Sequence, residues 1–244
     1  MNNAELSNAF DTMLNSYWLK QGMGVQNTPY DIRLDEYEKS IFLTKAQNAV
    51  ITGLYTGSMG ASYEAVEQVR RYLEKFINTR NYTSDESIPH EQYLENTKYS
   101  YRFALENDLM YIVLENAIYD SEIPCVGGNI VNVQPMTHDN FNKVRRNPFR
   151  GVTKYKAVRM DTAPDCVDIF TLYPISSYMM KYIRKPLPII LVDLQGTGLS
   201  IDGRDEVTEI ESPSVIHELI LDKAVSFAAA SRMQNLPKDD HTNK

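Results

Sequence analysis

The sequence has few of the residues that build metal, redox and membrane-spanning sites. Its 244 residues include 2 cysteines and 4 histidines. Cys125 and Cys166 lie 41 positions apart and form no CxxC pair. We interpret them as thiols of a reducing, intracellular environment, with a single disulfide as the alternative. No run approaches the roughly 20 apolar residues that cross a bilayer, so we expect no membrane partner.

The common catalytic motifs are also absent. None of the histidines belongs to an HExxH pair, and neither GxSxG nor GxxxxGK[ST] occurs. Gly196-Thr-Gly198 begins like a dinucleotide-binding loop, but Ile201 stands at the third glycine position, so we interpret this stretch as a turn. We therefore expect no catalytic residue, no metal and no cofactor. A hydrolase whose carboxylates meet only on folding is the least favoured alternative.

Positive charge is concentrated in one window, although the chain as a whole is acidic. The net charge is −7, whereas residues 137–160 carry +6, which leaves −13 for the remainder. Such asymmetry indicates a partner surface of opposite sign. Subunit contacts, proximity to a DNA backbone and plain surface are the three interpretations. The basic residues of this window are Lys143, Arg145, Arg146, Arg150, Lys154, Lys156 and Arg159.

The clearest predicted helix runs from Leu34 to Tyr55. Asp35, Glu36 and Glu38 place negative charge at the positive end of the helix dipole, and Gly57 follows the last apolar residue, where a helix can end in a left-handed turn. The apolar spacing predicts one stripe that packs against other elements. The stripe consists of Leu34, Tyr37, Ile41, Phe42, Ala46, Val50 and Leu54.

Helices are predicted at both ends of the chain. The first spans Leu6 to Trp18, and another, capped by Ser62, extends to Ile77. The last helix has Pro213 at its first position, where the fixed φ of proline is favourable. Its packing side comprises Ile216, Leu219, Ile220 and Phe227.

The middle of the chain predicts strands, because it is rich in aromatic and β-branched residues. Residues 79–96 before it resemble a polar connection, and Asp139 to Arg146 a short helix. Asn107-Asp108 and Asp202-Gly203 are interpreted as hairpin turns. The predicted strands are Tyr99–Leu105, Met110–Tyr119, Ile130–Val133, Lys154–Met160, Cys166–Tyr173 and Tyr178–Arg184, and Ile189–Leu194 follows them as a short apolar run.

The order of these elements predicts an α+β fold. Residues 1–80 and 211–234 are expected to form one helical bundle, which carries a β-rich insertion subdomain at 97–210. Residues 235–244 are polar and are expected to form a flexible tail.

Five stretches, in order across most of the chain, resemble a known family. The family is that of the head-to-tail connector, or neck ring (portal-adaptor), proteins of tailed bacteriophages, and the resemblance is closest to the ring proteins of crAss-like phages. The stretches are Phe10-Asp-Thr-Met-Leu14, Leu34–Gln47, Asn147-Pro-Phe-Arg150, Lys185-Pro-Leu-Pro-Ile-Ile-Leu191 and Pro213–Val225.

The resemblance implies a structural protein of the virion neck or tail that is assembled in the host cytoplasm. Such proteins form a ring, commonly twelve-fold, beneath the portal protein and beside other neck and tail rings. DNA passes through the centre during genome ejection. In such a ring, Arg145, Arg146 and Arg150 would meet an acidic face of the next subunit. A DNA-binding module that uses the basic window at 143–159 is the alternative function.

Overall fold

The computed structural model describes residues 1–20, 34–60, 66–88, 99–145 and 151–234. The chain divides into two compact units. Unit 1 comprises Met1–Lys75 and Pro186–Lys244, and unit 2 comprises Phe76–Lys185. The predicted tail at 235–244 and the predicted helix cap Ser62 lie outside the described residues.

The described helices and strands have the following bounds. The helices are α1 (Asn3–Lys20), α2 (Glu36–Thr56), α3 (Glu67–Leu73), α4 (His138–Arg145) and α5 (His217–Gln234). The strands are β1 (Ile77–Thr83), β2 (Tyr99–Ala104), β3 (Leu109–Tyr119), β4 (Ile130–Met136), β5 (Lys156–Ala163), β6 (Cys166–Thr171) and β7 (Ile175–Arg184).

Unit 2 is built on one seven-stranded sheet in the order β1-β7-β3-β4-β5-β6-β2. Neighbouring strands are antiparallel, apart from the parallel pair β4 and β5. The prediction of a helical bundle with an inserted β subdomain is therefore wrong. The sheet is the dominant element, and the helices α3 and α4 have only 7 and 8 residues.

One reason for this error is that β1 begins at Ile77, the predicted end of a helix, and continues into residues that are predicted to form a polar connection. Helix α3 ends at Leu73, and β1 pairs with β7 from Ile77 opposite Ile183 onwards. Tyr82 is the buried residue of this edge strand, so its sequence carries no alternating apolar signal. The strand conformation depends on hydrogen bonds to a distant segment, which a local pattern does not reveal.

The hairpin predicted at Asn107-Asp108 is also wrong, because β2 and β3 are not neighbours in the sheet. Three strands separate them, about 19 Å at the usual strand spacing. The five Cα steps from Ala104, the end of β2, to Leu109, the start of β3, span at most roughly 18 Å. The sheet must therefore curl. Consistent with this, the rings of Tyr82 on β1 and Phe103 on β2 lie 5.2 Å apart, although these strands form opposite edges.

The inner side of the curled sheet holds the core of unit 2. Its residues come from all seven strands, and apart from β1 the predicted strands overlap the observed ones. The buried members are Tyr82, Phe103, Ala117, Tyr119, Val131, Val133, Ala157, Val167, Ile169, Ile175, Tyr178, Met180 and Tyr182. Cys125 and Cys166 are both free, so the alternative of one disulfide is not observed.

The predicted start and end of α2 are confirmed. Asp35 Oδ1 accepts a hydrogen bond from the Glu38 backbone N–H at 2.7 Å, and Glu38 Oε2 accepts one from the Asp35 N–H at 3.2 Å. This reciprocal capping box satisfies two backbone donors that a helix start would otherwise leave unpaired. Gly57 follows the helix with a φ of 78°, the left-handed conformation that glycine adopts without strain.

Polar side chains occupy part of the buried face of α2. The amide at position 191 donates to Ser40 Oγ at 3.0 Å, and the amide at 189 donates to Thr44 Oγ1 at 3.0 Å. Gln47 Nε2 donates to the carbonyl at 187 at 3.4 Å. An extended segment, rather than another helix, therefore covers this part of the face, which is a second reason why the prediction of a helical bundle with an inserted β subdomain is wrong. The short apolar run Ile189–Leu194 forms an isolated bridge between Ile190 and Thr208.

The structure places the predicted packing residues in three environments. Buried ones are Leu34, Ala46, Val50, Leu54, Ile216 and Ile220. Half-buried ones are Tyr37, Phe42 and Phe227. Ile41 and Leu219 are exposed.

Candidate functional site

The parallel pair β4 and β5 determines where the basic window lies. Parallel neighbours require a crossover connection, and here the crossover contains α4. His138, at the start of α4, donates through Nε2 to the Asp161 carbonyl of β5 at 2.7 Å. This hydrogen bond fixes the start of the helix against the sheet. Most of the basic window therefore lies on the crossover between β4 and β5, and these two strands fix the position of its two ends.

The seven basic residues of the window do not form one patch in the described structure. Lys143 is exposed on α4, and Arg145 is the last residue of that helix. Arg146 and Arg150 lie outside the described residues. The remaining three are Lys154, which is exposed, Lys156, which is half-buried on β5, and Arg159, which is buried on β5.

Lys154 stands on a tight turn. The backbone N–H of Thr153 donates to the Lys156 carbonyl at 2.9 Å, and the Lys156 N–H donates back to Thr153 at 3.2 Å. The hydroxyl of buried Tyr119 donates to the Thr153 carbonyl at 3.3 Å. These bonds hold the turn against the sheet, so the side chains at its tip have a defined position.

The tip of this turn exposes a cation and an aromatic ring together. Lys154 Nζ lies 4.8 Å from the centre of the Tyr155 ring, and Tyr155 is 69% exposed. Ile130, at the start of β4, is 68% exposed. Because β4 and β5 run parallel, both residues lie at the same end of the sheet. We call Ile130, Lys154 and Tyr155 the turn surface. Exposed aromatic and aliphatic residues beside a cation are typical of protein interfaces.

Arg159 belongs to a buried cluster inside unit 2. Its Nη1 donates to Glu115 Oε2 at 2.7 Å, and its Nε lies 3.1 Å from Asp161 Oδ1. The Tyr178 hydroxyl donates to the other oxygen of Glu115. Burial raises the pKa of the Glu115 carboxyl, despite the nearby Arg159 charge and the Tyr178 hydrogen bond. The charge of Arg159 is neutralised within the sheet, so this residue has no charge left to offer a partner.

Two other clusters of charged side chains are likewise paired internally. Arg102 on β2 donates twice to Asp168 on β6, at 2.6 and 2.8 Å, and Asp168 is fully buried. In unit 1, Lys39 Nζ donates to Asp11 at 2.8 Å and to Glu36 at 2.9 Å. Burial lowers the pKa of Lys39, but the two carboxylates outweigh this and raise it above its usual value.

None of these clusters was predicted from the sequence. Glu115, Arg159 and Tyr178 come from three different strands, and their separation along the chain follows no motif. A charged residue inside an apolar strand is the one available signal, because such a residue is rarely buried without a partner. That signal identifies the residue but does not identify its partner.

The described residues contain no group of three or more His, Cys, Asp or Glu side chains that could hold a metal ion. The buried carboxylates are each matched by a basic side chain, which suits stabilisation of the fold. Across the described ranges, no helix is both long and apolar enough to cross a membrane. The exposed features of the site are the cations Lys143 and Lys154 and the side chains of Ile130 and Tyr155.

Comparison with known proteins gives consistent matches across almost the whole chain. The family model described as phage tail ring protein 3/4 matches residues 1–240. Ring protein 3 of Bacteroides phage crAss001 is 38% identical over 238 residues, which cover 96% of this chain and 97% of the relative. Ring protein 4/5 of the same phage is 24% identical, over 97% of this chain and 95% of that relative.

Proposed function

The chain belongs to the phage tail ring protein 3/4 family, and from this premise we propose that it is a structural subunit of a ring between portal and tail. Copies of the chain join side by side around a central channel, commonly in twelve-fold symmetry. The ring stacks against the portal protein on one side or against other tail rings, and packaged DNA passes through the channel. The observation that carries this proposal is the full-length match to a protein named for its ring.

The charge distribution supports a side-by-side contact in this ring. The buried cations Lys39 and Arg159 and the half-buried Arg102 are each paired within their own unit. Lys143 and Lys154 are exposed and have no carboxylate partner among the described residues. A closed ring needs a heterologous contact, in which one face of a subunit meets a different face of the next. Basic residues of the crossover and acidic residues elsewhere satisfy that requirement.

We propose that Lys143, Arg145, Arg146, Arg150 and Lys154 contribute to this contact, while Lys156 and Arg159 support the sheet behind them. Replacing both Arg145 and Arg146 by glutamate is expected to weaken ring formation. Rings that remain intact by electron microscopy after this change would contradict the assignment.

Lining of the DNA channel is the second role for the same residues, because their charge suits phosphate. The two roles differ in their dependence on salt. A channel-lining role predicts that the purified ring binds duplex DNA with an affinity that falls steeply between 50 and 200 mM salt. The affinity is expected to fall about tenfold for every two or three phosphate contacts. A subunit-contact role predicts that the ring binds DNA weakly and that raising the salt concentration dissociates the ring itself.

The central experiment is assembly of the purified full-length protein. Light scattering coupled to size exclusion gives the mass, and negative-stain images show whether the particles are rings and count their subunits. Labelling of the protein in purified virions locates it along the neck and tail. A protein that stays monomeric at all concentrations and is missing from virions would overturn the proposal.

A further inference from the structure

Two lysines converge on one aromatic ring in unit 1. Lys45 Nζ of α2 lies 4.9 Å from the centre of the Phe227 ring of α5, and Lys223 Nζ lies 5.3 Å from the same centre. Both lysines are exposed, and neither has a carboxylate partner among the described residues. We call these three residues the lysine seam. Two like charges beside one ring leave a local excess of positive charge, which favours an anionic partner.

The same unit carries a loop of opposite character. Residues 193–209 include the exposed acids Asp193, Asp202, Asp205, Glu206 and Glu209, with Arg204 as the one basic residue. Val207 stands among them and is 51% exposed. Asp205 and Glu206 directly precede Val207, and Glu209 follows it by two positions, so carboxylates lie on both sides of this apolar residue along the chain. We call residues 193–209 the acidic loop.

The acidic loop is held firmly against unit 1. The Leu194 N–H donates to the Asp205 carbonyl at 2.8 Å, and the Thr208 N–H donates to the Ile190 carbonyl at 3.1 Å. Ile190, Leu194 and Ile201 form a small buried cluster beneath the loop. An interface that is already ordered loses less conformational entropy on binding than a mobile loop.

We propose that the acidic loop of one copy of this chain docks on the lysine seam of the next copy. The inference rests on the proposed ring function and names a further part of the side-by-side contact, which unit 1 makes in addition to the basic residues of the crossover. Asp205 and Glu209 would meet Lys45 and Lys223, while Val207 would contact the exposed part of the Phe227 ring. The two surfaces differ from one another, so the contact is heterologous and can repeat around a ring.

A second copy is the partner that the charges favour. The complementary surfaces occur on the same chain, in the same unit, so every copy supplies both halves of the contact. A nucleic acid would be attracted by the lysine seam but repelled by the acidic loop. Opposite charges across an interface steer association and reject wrong partners, and reversing one side replaces attraction by repulsion.

Two charge-reversal variants test the contact. The first carries Lys45→Glu and Lys223→Glu, and the second carries Asp205→Lys and Glu209→Lys. Each variant alone has two surfaces of the same sign, so its assembly affinity is expected to fall about tenfold or more. An equimolar mixture restores an opposite pair at every contact, so the mixture is expected to form rings in which the variants alternate.

Circular dichroism establishes that each variant is folded, and mass photometry with negative-stain imaging measures assembly. The matched control for the lysine variant is Arg71→Glu with Lys75→Glu, which makes the same change in net charge as Lys45→Glu with Lys223→Glu on exposed residues of unit 1 outside both surfaces. The control is expected to assemble like the wild type.

Three outcomes would overturn the inference. Either folded variant forming rings alone would show that the contact is not needed, while the proposed ring function would stand. A mixture that fails to assemble would show that the two surfaces do not meet. Binding of duplex DNA that is lost with Lys45→Glu and Lys223→Glu, with rings retained, would assign the lysine seam to nucleic acid. A wild-type protein that never forms rings would refute the proposed function itself.

Discussion

Replacing Glu115 by glutamine should destabilise the protein more than any surface change, because the partner of a buried arginine loses its charge. The side chain of Arg159 is 10% exposed and that of Glu115 is 5% exposed. Glutamine keeps the shape of the glutamate but leaves the guanidinium with the largely solvent-exposed Asp161 as its remaining counter-charge. Breaking a buried ion pair costs about 3–5 kcal/mol.

We expect the lower end of this range, about 3 kcal/mol, because Asp161 still lies near Arg159 and the glutamine amide still accepts a hydrogen bond. The measurement is the free energy of unfolding in urea, followed by far-UV circular dichroism. The slope of the transition should remain that of the wild type, since the change alters stability rather than the surface exposed on unfolding.

A combined variant distinguishes the contribution of the Glu115–Arg159 pair to the free energy of unfolding from the cost of leaving one charge buried without its partner. Glu115→Leu, Arg159→Met and Tyr178→Phe together remove the pair and the hydroxyl bonded to it. Apolar replacement of a whole buried pair is often neutral or stabilising, so we expect the combined variant to unfold within about 1 kcal/mol of the wild type. The matched surface control is Arg71→Met, which breaks an exposed pair with Glu67 at 2.7 Å and should have no measurable effect.

The reasoning would be refuted by two results. A loss below about 1 kcal/mol for Glu115→Gln would mean that Arg159 does not depend on this carboxylate. A combined variant as unstable as Glu115→Gln would mean that the loss comes from packing rather than from an uncompensated charge.

Two further predictions concern single buried groups. Burial raises the pKa of Tyr82 to about 12, so the folded state holds the phenol proton more tightly than the unfolded state, in which the pKa is about 10. The stability that this proton contributes is present below pH 10 and is lost as the pH rises toward 12. Tyr82→Phe should therefore reduce the loss of stability between pH 9 and pH 11, measured by urea unfolding. Thr44→Val removes the hydroxyl that bonds the amide and carbonyl of Ile189; leaving these buried groups unpaired should cost about 1–3 kcal/mol, and Thr44→Ser, which keeps the hydroxyl, should restore most of that loss.

Local patterns predicted most individual elements of this fold. The strands β3, β6 and β7 and the capped helix α2 follow from apolar periodicity and end residues, which act within one segment. The pairing of strands follows from long-range hydrogen bonds, and no local feature specified that β2 should join β6 rather than β3. β1 was missed for the same reason, since its one buried residue, Tyr82, gives no period.

The candidate site was predictable only in part. The basic window was visible in the sequence as a run of positive charge. Which of its residues can bind a partner depends on which of them already form ion pairs inside the fold. Nothing near Arg159 in sequence shows that Glu115 lies beside it, whereas Lys154 is adjacent to exposed Tyr155. The lysine seam joins two helices that are distant along the chain, and therefore no spacing rule could have found Lys45 beside Lys223.

Raising the salt concentration should distinguish the charges that stabilise the folded subunit from the charges that join subunits in the ring. The charges of Lys39, Arg159 and Asp168 are buried and paired, so mobile ions scarcely screen them. The lysine seam and the acidic loop are exposed, and the screening length falls from about 8 Å at 0.15 M salt to about 3 Å at 1 M. We therefore expect 1 M sodium chloride to convert rings to folded subunits, with the circular dichroism spectrum unchanged and the mass reduced to that of one chain. Rings that persist at 1 M salt would indicate an interface held by apolar contact, such as that of Ile130 and Tyr155, and would direct mutagenesis to the turn surface.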